Sequence, residues 1–95
     1  MKTFEDLEFK PHSLPGGVQA RMDFDNGYGV SVVGGYDGLR GDGVETFEVA
    51  VFFDGWLCYD SGITEDVENW QTKSQVTDLM RRVQELPAQA EKAAA

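Results

Sequence analysis

The chain has one cysteine, Cys58, and one histidine, His12. A single cysteine excludes an internal disulfide, and one residue of each kind does not complete a structural zinc site. No apolar run approaches the roughly 18 residues of a membrane span. Met1–Lys10 also lacks the apolar segment of a signal peptide, so an intracellular protein is expected. Basic residues are scarce as well. Lys and Arg number 8 against 17 Asp and Glu, a formal charge of −9. Between Met22 and Thr72 the only base is Arg40, while the acids are Asp23, Asp25, Asp37, Asp42, Glu45, Glu48, Asp54, Asp60, Glu65, Asp66 and Glu68. Direct nucleic-acid binding needs a positive footprint, and anionic membranes attract the same charge; both are excluded as partners. A protein with a basic surface is the partner that this field permits.

What is present describes one folded unit. Ninety-five residues, 41% hydrophobic and 12% aromatic, suffice for one modest core without metal or disulfide. The domain is expected over residues 1–87, with the alanine-rich tail at 88–95 frayed. Val18, Ala20, Met22 and Phe24 alternate with Gln19, Arg21 and Asp23, the period of a half-buried strand. Asp25-Asn26-Gly27 supplies a tight turn, and Val30 and Val32 carry the return strand. Leu7–Lys10 alternates as a short first strand that Pro11 closes. Val44–Phe53 is the most hydrophobic strand, with Phe47, Val49, Val51 and Phe53 on one face. Asp54-Gly55 turns the chain into Trp56–Tyr59. Between the strands, half of Gly34–Gly43 is glycine, which reads as a long mobile loop.

The second half turns helical. Ile63–Val67 reads as one helical turn opened by Thr64. Thr72-Lys73-Ser74-Gln75 has capping-box spacing, and Val76, Leu79, Met80, Val83 and Leu86 follow at intervals of three and four. Pro87 ends that helix. The fold class is therefore α+β: an antiparallel meander of four or five strands with a C-terminal amphipathic helix on one face.

No motif names a reaction. His12 stands in a turn beside Pro11, and Cys58 lies on a short strand with no nucleophile pattern around it. A surface histidine and a structural thiol are the simpler readings, and no catalytic residue is assigned. Asp23–Gly27 has the start of a calcium loop without its later ligands, so a hairpin turn fits better. The glycine-rich loop lacks the Gly-Lys-Ser/Thr of a phosphate loop. No cofactor or metal is expected. The tryptophans have two readings, as plugs at the ends of the core or as anchors within an acidic rim.

The segment Phe24-Asp25-Asn26-Gly27-Tyr28-Gly29-Val30-Ser31-Val32-Val33, with Gly17–Ala20, Phe9–His12, Glu48–Val51, Tyr59-Asp60 and Ile63–Val67, resembles a group of small uncharacterised phage and prophage accessory proteins. The resemblance implies a phage origin and a life in the host cell cytoplasm. It carries no catalytic set. Together with the acidity it leads to an expected function: binding and inhibiting a host nucleic-acid-binding defence protein, of anti-CRISPR or anti-restriction type, by imitating nucleic acid. The alternative is a phage structural, assembly or regulatory module that acts through an apolar patch or strand edge. The expected contact residues are Tyr36, Asp37, Asp42, Glu45, Asp54, Trp56, Asp60, Glu65, Asp66, Glu68 and Trp70, on a monomer or homodimer. The Gly34–Gly43 loop and Asp60–Val67 are expected at one end of the sheet, with Asp25–Gly27 and Asp54–Gly55 at the other.

Overall fold

The computed structural model describes residues 1–11, 16–35, 41–54, 56–57 and 67–86. The hairpin lies at its centre. β2 (Val18–Asp23) and β3 (Tyr28–Gly34) pair antiparallel, from Val18 opposite Gly34 to Asp23 opposite Gly29. Gly27 closes the turn at φ 90°, a left-handed conformation that costs glycine nothing. Short β1 (Lys10–Pro11) lies along the outer side of β2.

β4 (Thr46–Phe53) pairs with the other side of β3, setting Val30 opposite Val51 and Val32 opposite Val49. All four valines are buried, together with Ala20, Tyr28 and Phe47 on the same face. Helix α1 (Lys73–Gln84) covers that face with buried Val76, Leu79, Met80 and Val83, and Leu86 packs against the cluster. Each such burial stabilises by roughly 1.5–3 kcal/mol before conformational entropy is set against it. The capping box forms as spaced. The Gln75 N–H donates to Thr72 Oγ1 at 3.3 Å, and the Thr72 N–H donates to Gln75 Oε1 at 2.8 Å. The fold is the α+β meander with its helix on one face.

The N-terminus departs from the strand expected at Leu7–Lys10. Phe4–Asp6 is a 3-10 turn, held where the Thr3 N–H donates to Asp6 Oδ2 at 2.9 Å. Strand pairing begins only at Lys10 and includes Pro11 rather than stopping before it. An edge position tolerates proline because one side of the strand needs no ladder donor. The turn delivers Phe4 to a three-ring cluster with Phe9 and Phe47, centroids 5.1–5.5 Å apart.

A second difference lies at the far edge of the sheet. The expected strand Trp56–Tyr59 is described as β5 (Trp56–Leu57), opposite Phe53 and Phe52. A sixth strand, β6 (Val67–Thr72), runs along the same edge of β4 from Ala50 to Thr46. Val67 is thus a strand residue, not the end of a helical turn; the rest of that turn lies outside the described residues, as do Cys58, Tyr59, Pro87 and the tail at 88–95. Polar Glu68, Asn69, Gln71 and Thr72 hid β6 from a search for alternating apolar residues. Edge strands with few apolar positions carry little of that signal.

The base of the glycine-rich loop is close-packed. A Cβ at buried Gly41 would lie 2.6–2.8 Å from the main-chain atoms of Phe47, so only glycine lets the two backbones approach. The Gly35 N–H donates to Gly41 O at 3.0 Å across the loop's neck. Residues 36–40 lie outside the described residues.

Candidate interaction surface

Asp42 has a structural task at the loop's exit. Its Oδ1 accepts the main-chain N–H groups of Val44, Glu45 and Thr46 at 2.8, 2.7 and 2.9 Å. These bonds, led by the one from Thr46, lower its pKa from 3.8 to about 2. They also explain why β4 begins at Thr46 and not Val44. The intervening donors point at a carboxylate instead of a neighbouring strand. Glu45 sits in this turn and is exposed.

Thr46 pairs with Thr72, the last residue of β6, so this acidic turn adjoins the end of that strand. Register then breaks. Phe47 faces Gln71 and Val49 faces Glu68, leaving Asn69 and Trp70 together opposite Glu48. This is a β-bulge, a device that re-aims side chains at sheet edges. Trp70 has φ 56°, a left-handed backbone uncommon for a bulky residue, and the residue is 59% exposed. Asn69 Oδ1 is enclosed with no hydrogen-bond donor. Glu48 and Glu68 are half-buried beside the bulge.

Of the expected contact residues, Asp42, Glu45, Glu68 and Trp70 therefore share one corner of the sheet. Asp54 does not. Its N–H donates to Gly27 O at 2.9 Å, which sets it beside the Asp25–Gly27 turn at the opposite end, as expected. Trp56 lies in β5 at that same end, opposite Phe53. Tyr36, Asp37, Asp60, Glu65 and Asp66 lie outside the described residues, as does His12.

Of the segment Asp60–Val67, expected at the loop end, only Val67 is described; it lies opposite Ala50, and residues 60–66 lie outside the described residues. Among the described residues, the part of β6 that reaches the loop end is Asn69–Thr72, where Thr72 lies opposite Thr46.

Nothing in the order of residues marks Glu48 as a neighbour of Trp70. A bulge opposes two residues to one, and nothing in tryptophan's own preferences signals a left-handed backbone. One concavity also went unread. Met1, Lys2, Asp6, Asp23, Phe24, Asp25, Asn26 and Gln84 line an open cleft gathered from both chain halves.

Several cations near the acids are already engaged. The Arg21 guanidinium lies 4.2 Å from the Phe52 ring centre and 3.6 Å from Asp23. Arg81 pairs with Asp78 and Glu85, and both hydrogen bonds and charge raise its pKa. Among the described residues, no group of three or more His, Cys, Asp or Glu is arranged to hold a metal ion. Among them, too, no helix is long and apolar enough to cross a membrane. Comparison with protein-family models, curated proteins and solved structures found no match.

Proposed function

We propose that this chain is a small acidic binding protein that inhibits a host nucleic-acid-binding defence protein by offering carboxylates to its basic surface. The observation that carries the reading is the charge layout. Asp23, Asp25, Asp42, Glu45 and Asp54 are all exposed, while Arg40 is the only base between Met22 and Thr72. Such a field attracts a positive groove and repels nucleic acid itself. No catalytic role enters this reading. Cys58→Ser and His12→Ala are expected to leave activity intact in folded protein.

Exposed Trp70 at a sheet edge favours a second reading, a phage assembly or regulatory module that docks through that edge. Affinity capture from host lysate, with and without nuclease and at two salt concentrations, separates the two. Nucleic-acid enzymes recovered at low salt and lost at high salt support the inhibitor, because screening weakens contacts between exposed charges. A virion protein retained at both salts supports the module.

A further inference from the structure

We propose that the bulge at Asn69–Trp70 is the docking anchor of this protein, and that its occupant is an arginine side chain on a basic partner segment. This deepens the acidic-binding reading above and rests on it.

Three observations meet at one place. Trp70 is more than half exposed, on a backbone that a bulky residue adopts only under constraint. Its neighbour Asn69 keeps an enclosed oxygen with no donor, so the bulge is left with an unsatisfied acceptor. Glu48 lies opposite the bulge in the strand register, on the face away from the core, and the Asp42–Glu45 turn adjoins the end of the same strand.

The chemistry selects the occupant. An indole face attracts cations, and the Glu48 carboxylate opposite the bulge adds charge of the matching sign. The half-buried Glu48 carboxylate can accept N–H donors, while the enclosed Asn69 Oδ1 marks the strain of the bulge rather than a contact point. Guanidinium meets all three needs at once: it stacks flat on an indole, carries five N–H donors and remains charged. Ammonium supplies the charge without the planar stack. Among the described residues, no cation of the protein itself is in ring contact with Trp70; the two cation–ring contacts are Arg21 over Phe52 and Lys73 over Phe4. Pairing of a partner strand along β6 is disfavoured, because a bulge and acidic side chains interrupt a regular edge ladder. Docking by a side chain remains.

The test uses hexa-arginine and hexa-lysine peptides on the full chain. Affinities are measured by calorimetry at low and moderate salt, and the contact is located from the Trp70 indole N–H resonance. The arginine peptide is expected to bind more tightly and to shift the Trp70 indole and the Asn69 amide. Trp70→Leu should weaken it roughly two- to fivefold, the fold-change of a solvent-exposed cation–π contact, and remove its advantage over lysine. Trp70→Gly, which suits the left-handed backbone, should do the same and guards against loss by misfolding. Unchanged arginine-peptide affinity in both folded variants would overturn the anchor and leave the acidic-binding reading standing. Absence of binding by either peptide to the wild-type chain at low salt would overturn both.

Discussion

The side-chain amide of Asn26 donates to the main-chain oxygen of Val83 at 2.9 Å, joining the central hairpin turn to the end of the C-terminal helix. The same amide nitrogen donates to Leu86 O at 3.0 Å, and Asn26 Oδ1 accepts the Tyr28 N–H at 3.1 Å. One side chain thus shapes its own turn and satisfies carbonyls that a helix end leaves without intrahelical partners. The order of residues from Asn26 to Val32 is explained by the same geometry. Asn26 caps the helix, Gly27 takes the left-handed turn, and Tyr28, Val30 and Val32 fill the core. Those residues are requirements of the fold.

Asn26→Ala is therefore expected to destabilise the protein by about 1–3 kcal/mol, because the Leu86 carbonyl and the Tyr28 N–H lose the Asn26 side chain and Val83 O keeps only the Leu86 N–H. Asp25→Ala, one residue away and exposed, should change stability by no more than about 0.5 kcal/mol. Urea denaturation of the two variants checks both. Equal small effects would mean that the clamp contributes nothing.

Leu79 is 5% exposed between helix and sheet. Leu79→Ala should cost about 2–5 kcal/mol, from lost burial and the cavity left behind. Chemical denaturation gives the value, and a loss of a few tenths would contradict the packing face described.

Asp42 sets a pH dependence. Its pKa in the folded protein, about 2, lies below the ordinary 3.8, so its carboxylate stabilises the fold above the ordinary value. That contribution should fade as pH falls from about 4 towards 2. Asp42→Asn should be less stable at neutral pH and show a flatter stability profile in this window. Parallel profiles for wild type and variant would argue against the three main-chain bonds.

Trp70 is the converse case, a residue whose backbone favours its replacement. Trp70→Gly should be more stable than Trp70→Ala by about 1 kcal/mol, because only glycine occupies φ 56° without steric cost. Thermal melts of the pair measure the difference. Alanine equal to glycine would mean that the bulge relaxes once the ring is removed.

Charge reversal separates the two acidic ends. Glu45→Lys with Glu68→Lys should weaken partner binding more than Asp25→Lys with Asp54→Lys, since the first pair adjoins the Trp70 bulge. Asp42 is left out of this comparison because its loss would disturb the loop itself. Equal weakening by both pairs, measured by calorimetry with the captured partner, would indicate a diffuse field rather than a defined corner.

The sequence alone determined the hairpin, the buried face of β4 and the helix with its cap. Each rests on local order: an alternation of two, a stripe of three and four, and a Thr-x-x-Gln box that closes within one turn. Charge was equally legible, because composition does not depend on folding. Tertiary structure alone decided the rest. β6 pairs through its backbone, which every residue carries, so its polar side chains gave no sign of a strand. Asp42 looked like a surface acid until the return of the chain brought three N–H groups onto one oxygen. Asn26 looked like a turn residue until the helix end arrived, 57 positions later, to receive its amide. Trp70 owes its exposure to a bulge created by the mismatch of two strands, a property of the pair that neither strand holds by itself.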